Sequence, residues 1–175
     1  MSREAKVIWM TGLSGAGKST LAYAVSSYFR GIHKPCVVLD GDVLRRGINK
    51  DLGFSESDRF ENIRRAACVA DLVRSQGIWC IASLITPTNQ LRRLAAQTIG
   101  ADHFRLIYVK APLETCISRD PKNLYKKAMK GEINDFTGIS APFEEPAHAD
   151  LIIDTSCEDA EKCAKRLIHY VEREF

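Results

Sequence analysis

The stretch Val7-Ile8-Trp9-Met10-Thr11-Gly12-Leu13-Ser14-Gly15-Ala16-Gly17-Lys18-Ser19 runs from an apolar segment through a glycine-rich turn into a Lys-Ser pair. Gly12 to Ser19 has the spacing G-x-x-x-x-G-K-[ST], between a predicted strand and a helix predicted to begin at Lys18. Glycines at these positions let the backbone curl until successive N–H groups face phosphate oxygens, and the helix N-terminus adds a favourable dipole. On this reading Lys18 bridges the β- and γ-phosphates of a nucleoside triphosphate and the Ser19 hydroxyl ligates magnesium. The competing reading is a glycine-rich turn that only joins strand to helix.

Working outward, apolar runs rich in β-branched residues recur at Val7 to Met10, Cys36 to Leu39, Ile78 to Ile85, Phe104 to Val109 and Leu151 to Ile153. Helical patterns separate them, which predicts an α/β fold with a five-stranded parallel sheet covered on both faces. A helix is expected from Ser57 to Ser75, with Phe60, Ile63, Ala66, Ala67, Ala70 and Val73 on one face and Gly77 closing it. Others are expected over Asn89 to Ile99, Leu113 to Arg119 and Ala160 to Glu174. Residues 120–146 lack a strand pattern and read as a short helix within a mobile lid.

The 175 residues suit one domain, taken as 1–175, and the net charge of +3 gives no reason to expect nucleic acid or a membrane surface as partner. Six cysteines are dispersed without C-x-x-C or paired histidine spacing, as expected of reduced thiols. Polar Ser2-Arg3-Glu4-Ala5-Lys6 leads into an apolar run too short for a signal peptide or a span, so the cytoplasm is the expected compartment.

A P-loop specifies the donor better than the acceptor. A guanine-specific switch would want N-K-x-D after a later strand, whereas Asn49-Lys50-Asp51 brings its Asp one residue early, and no apolar strand leads into Asp135-Phe136-Thr137-Gly138. Leu39-Asp40-Gly41-Asp42 instead places two carboxylates at the carboxyl edge of the sheet, where ligands of open α/β folds bind. One of Asp40 and Asp42 would take a proton or organise magnesium water while the other bonds an acceptor; alternatively Asp42 caps a helix and Asp40 merely ends a strand. Arg45, Arg46, Arg59, Arg64 and Arg65 follow, with Asn62 one helical turn from Arg59. That face would grip an anionic acceptor, or simply be solvated.

Taken together, Gly12 to Thr20, Leu39 to Asp42, Arg45 to Phe54, Asp58-Arg59, Glu61 to Arg65, Arg119-Asp120, Leu124 to Ala128, Gly131 to Ile133 and Phe136 to Ile139 resemble the adenylylsulfate kinases, over nearly the whole chain. The resemblance implies a three-layer P-loop kinase fold and transfer of phosphate from ATP, with Mg2+, to the ribose 3′-hydroxyl of adenosine 5′-phosphosulfate. It implies that Gly12, Leu13, Ser14, Gly15, Ala16, Gly17, Lys18, Ser19, Thr20 and Arg119 serve ATP. Asp42, Arg45, Phe54, Arg59, Asn62, Lys122, Phe136 and the backbone of Ile85 and Thr86 would serve the acceptor, whose nucleotide would lie between Phe54 and Phe136. Unplaced aromatics of this kind are more often core; stacking would contribute about 1–3 kcal/mol per contact. A homodimer is also implied.

Two departures stand out. Thr86-Pro87 occupies the place of the family's serine-proline pair, whose serine is associated with a phosphoenzyme, so Thr86 is a candidate phospho-acceptor while direct in-line transfer is the favoured route. Asn134-Asp135 stands where Lys-Gly is frequent. The competing functions are another small-metabolite P-loop kinase and a nucleotide-dependent interaction module; the presence of Lys18, Ser19, Asp40 and Asp42 argues against a dead kinase.

Overall fold

The computed structural model describes residues 4–174, so the polar start read at Ser2 and Arg3 lies outside the described residues. Strands β1 (Val7–Thr11), β2 (Cys36–Asp40), β3 (Trp79–Ser83), β4 (Phe104–Lys110) and β5 (Leu151–Asp154) form one parallel sheet in the order β2-β3-β1-β4-β5. Alternation along β1 explains why its residues are all apolar before Thr11: Ile8 and Met10 enter one core cluster, Val7 and Trp9 the other.

The first cluster is closed by α1 (Lys18–Gly31) and α7 (Ala160–Glu172) through Leu21, Val25, Phe29, Leu167 and Val171. The second is closed by α3 (Glu56–Ser75) and α4 (Asn89–Ile99) through Ile63, Ala66, Ala70, Leu91 and Ala95. Each large aliphatic side chain taken from water here contributes about 1.5–3 kcal/mol. Two short helices, α2 (Gly41–Arg46) and α5 (Leu113–Arg119), follow β2 and β4, and α6 (Leu124–Met129) lies in the 120–146 segment.

Several expectations are corrected. Phe60 is exposed, whereas Ile63, Ala66, Ala67 and Ala70 of its predicted face are buried and Val73 is half-buried: that face meets the second core cluster only from Ile63 onward. β3 ends at Ser83 rather than at Ile85, since the chain leaves the ladder ahead of a left-handed residue at Thr86, φ 44°. Asp40, not Asp42, caps α2, its side chain accepting from Asp42 N. Side-chain oxygens of Ser55, Thr88 and Asp159 cap α3, α4 and α7 in the same way.

Candidate active site

The loop after β1 turns into α1 on glycines, and at Gly12 the reason is close approach: a Cβ there would stand 2.2 Å from the Val109 carbonyl oxygen. The loop borders a crevice of about 850 Å³ over the carboxyl ends of the strands. Ser14, Gly15, Gly17, Lys18, Ser19 and Thr20 line it, whereas Gly12, Leu13 and Ala16 form the loop's back. Leu13 faces a second cavity beside Tyr108 and Phe143.

Lys18 is buried, and its Nζ donates to the carbonyls of Gly12 (2.9 Å) and Leu13 (2.7 Å). Burial pulls its pKa down to about 8, and Lys122 adds to the pull while Cys116 and Asp40 oppose it. A phosphate placed against this ammonium would reverse the cost of its burial. Ser19 Oγ donates to Asp40 Oδ2 at 2.7 Å and lies 3.4 Å from Ser83 Oγ; the other Asp40 oxygen is occupied by the Asp42 amide.

The two carboxylates therefore have different surroundings. Asp40 is buried under the first turn of α1, while the half-exposed Asp42 pairs with Lys122, which reaches across the mouth of the crevice. Across from them, Arg45 donates to the carbonyls of Leu52 and Gly53, and its guanidinium carbon sits 4.3 Å from the Phe54 ring centroid. Burial, then repulsion from Arg59, lowers the pKa of Arg45; burial does the same to Arg59. Both remain cationic at neutral pH.

Arg59 bonds Phe54 O, Thr137 Oγ1 and the Asp135 carbonyl, tying α3 to the segment that carries Phe136. Phe54 and Phe136 both line the crevice; Phe54 is half exposed, and Phe136 meets Tyr125 edge-on at 5.0 Å. Asn62, Ile85 and Thr86 also line it. Arg119 donates to Gly15 O (3.3 Å) and to Thr155 Oγ1 (2.9 Å), beside the phosphate loop. Arg64 and Arg65 turn away into exposed ion pairs with Glu61 and Asp51.

The Thr86 hydroxyl is not presented to solvent: the residue is 1% exposed and Oγ1 accepts from Trp9 Nε1 at 3.0 Å. Several contributors escaped the sequence reading. Asn49, considered only as part of a guanine motif, is buried and donates to Asn62 Oδ1 at 3.0 Å. Tyr125, in the supposed lid, is buried with its hydroxyl donating to Ser14 O. Thr155 Oγ1 donates to Ala16 O, and Thr11 Oγ1 to Ile85 O. An aromatic at a helical position of a polar segment was the available signal for Tyr125; single threonines at or just past strand ends carry none.

A family described as Adenylylsulphate kinase matches residues 4–154. An adenylyl-sulfate kinase of Bacteroides thetaiotaomicron is 51% identical over 174 residues, 98% of this chain and 85% of the relative. An APS kinase of Mycobacterium tuberculosis, solved in complex with AMPPNP and APS, superposes with a TM-score of 0.92 at 40% identity, covering 97% of this chain and 99% of that one. A hexameric APS kinase of Thiobacillus denitrificans gives 0.74 at 28% identity, covering 98% of this chain and 29% of the other.

Proposed function

The chain belongs to the adenylylsulphate kinase family, and from that membership we propose that it is a single kinase domain transferring the γ-phosphoryl group of ATP to the ribose 3′-hydroxyl of adenosine 5′-phosphosulfate. The observation that carries this reading is one crevice holding both half-sites: Lys18, Ser19 and Asp40 at the loop, and Asp42, Arg45, Arg59 and Asn62 opposite.

The donor's phosphates would lie against the N–H groups of Ser14 to Thr20, with Lys18 neutralising charge on the transferring group and Arg119 near the donor's nucleotide. Ser19 Oγ and Asp40 Oδ2 fit magnesium: both are hard oxygen ligands, 2.7 Å apart where the first turn of α1 meets the end of β2, with Ser83 Oγ near. Among the described residues no cluster of three His, Cys, Asp or Glu offers an all-protein cage, as suits an ion that takes one carboxylate together with substrate phosphates. Bound there, magnesium would screen the β- and γ-phosphate oxygens.

Arg45 and Arg59 would hold the anionic end of the acceptor, Phe54 and Phe136 its adenine, and Asn62, Lys122 and the Ile85-Thr86 backbone its remaining polar groups. The 3′-oxygen forms its bond to the γ-phosphorus as the bond to the β,γ-bridging oxygen breaks, and that electron pair leaves on ADP. The hydroxyl proton passes to Asp42, whose carboxylate is free of helix-capping duty, while both oxygens of Asp40 are engaged. Positioning and fixed charge supply most of the acceleration.

Six free thiols fit a reducing cytoplasm, and no helix among the described residues is long and apolar enough to cross a membrane. A homodimer is part of this reading, which sedimentation tests. Release of ADP with adenosine 5′-phosphosulfate as acceptor, and the position of phosphate in the product, test the reaction. Preference for a nucleoside or shikimate-like acceptor would replace it.

A further inference from the structure

Thr86 is a β-branched residue held at φ 44°, a conformation costly for such a side chain. Buried contacts to its hydroxyl and its carbonyl hold it there. Trp9 Nε1 donates to its hydroxyl, and Thr11 Oγ1 lies 2.7 Å from Ile85 O and 3.1 Å from Thr86 O. Behind Thr11 stands Arg92 of α4, 4% exposed, whose Nε donates to Thr11 Oγ1 at 3.3 Å. Its remaining bonds go to Asn89 Oδ1 (2.9 Å) and to the Glu144 carbonyl, and the Phe143 ring lies 5.2 Å from its guanidinium carbon.

A guanidinium only donates, and a threonine hydroxyl has a single proton. With Arg92 donating to it, the Thr11 hydroxyl must turn its proton toward the Ile85 and Thr86 carbonyls. A neutral donor in this place would have avoided burying a cation among neutral acceptors. Arg92 is itself absent from the crevice lining, whereas Ile85 and Thr86 border it.

We propose that Arg92 is a positioning residue that, by orienting the Thr11 hydroxyl, locks the strained Ile85-Thr86 turn in the shape the acceptor meets. The inference rests on the reaction proposed above. The same guanidinium also fastens the 143–147 strap, through Glu144, to the start of α4, so the turn and the strap share one anchor.

Thr11→Val keeps the shape of the side chain and removes the hydroxyl; Thr11→Ser restores it; Arg92→Lys keeps the charge but loses the fork. Thr11→Val and Arg92→Lys should raise KM for adenosine 5′-phosphosulfate about tenfold, the scale of a slight misplacement of a reacting group. MgATP affinity should stay within about twofold of wild type, since none of the phosphate-facing residues from Ser14 to Thr20 is substituted. Thr11→Ser should recover the wild-type value. In 15N-labelled protein the Trp9 indole resonance should move in both damaged variants while that of Trp79, on the far side of the sheet, stays in place. A Trp9 resonance unmoved in Thr11→Val, or equal losses for both substrates, would overturn the inference. If the wild-type enzyme fails to turn over adenosine 5′-phosphosulfate, the functional reading falls instead, and the indole resonance alone decides the positioning role.

Discussion

The Ser19 hydroxyl donates to Asp40 Oδ2 across 2.7 Å, joining the first turn of α1 to the end of β2. The other oxygen of Asp40 caps α2, so this carboxylate is fixed from both sides, whereas Asp42 two residues on pairs with Lys122 at the crevice mouth. Asp40→Asn should lower kcat by on the order of 10²–10³, the scale seen when a fixed charge-stabilising contact is removed, and weaken the apparent affinity for magnesium. Asp42→Asn should raise KM for adenosine 5′-phosphosulfate and lower kcat while MgATP binding is retained. Steady-state kinetics and nucleotide titration check both; interchange of the two phenotypes would reverse the assigned roles.

Lys18→Ala should abolish phosphoryl transfer without unfolding the protein, because the ammonium neutralises the transferring group. Near-normal turnover by a folded variant would contradict the donor site. A pH effect follows from the same residue. Burial lowers its pKa to about 8, so the cationic form that grips phosphate prevails below that pH and is lost above it. The value of kcat/KM for MgATP should therefore fall as pH rises through about 8. The limb in kcat should lie at higher pH, since bound phosphate favours the ammonium.

Arg59→Ala and Asn62→Ala should impair use of adenosine 5′-phosphosulfate much more than ATP binding. Arg59 also holds Asp135 and Thr137, so its removal loosens the segment carrying Phe136, and a loss of about tenfold or more in acceptor kcat/KM is expected. Titration of nucleotide with and without acceptor checks this, and equal losses for both ligands would contradict the assignment.

Thr86→Ala separates covalent from direct transfer. A nucleophilic hydroxyl would make the variant slower by orders of magnitude. Here the hydroxyl belongs to a residue 1% exposed and accepts from the buried Trp9 indole, so one of its lone pairs is tied to the second core cluster. Direct transfer should leave a change of about tenfold or less, about 1.4 kcal/mol in the barrier. Single-turnover kinetics of the variant, with mass measurement of wild type mixed with ATP alone, decides. A stoichiometric, kinetically competent phosphothreonine would show the route to be covalent.

The sheet was legible because a parallel strand buried on both faces must be apolar at consecutive positions, as Val7 to Met10 are. The phosphate loop was legible because its requirement is local: glycine where a Cβ would strike Val109, and Lys-Ser at the head of a helix. Phe60 misled because periodicity gives a helix face but not how far that face extends over the sheet. Tyr125 and Asn49 were passed over because their partners, Ser14 and Asn62, are 111 and 13 residues away.

The strand and helix alternation and the triphosphate loop could be read from sequence because each rests on spacing within a few residues, whereas the acceptor side chains, spread from Asp42 to Phe136, came only through resemblance to a family. How the two neighbouring carboxylates divide emerged from the folded chain alone. The fold also decided which way the Thr86 hydroxyl turns, and that Arg92 stands behind Thr11. Those outcomes depend on which strand ends lie side by side in the order β2-β3-β1-β4-β5, and on burial that makes each hydrogen-bond donor find an acceptor from a distant segment.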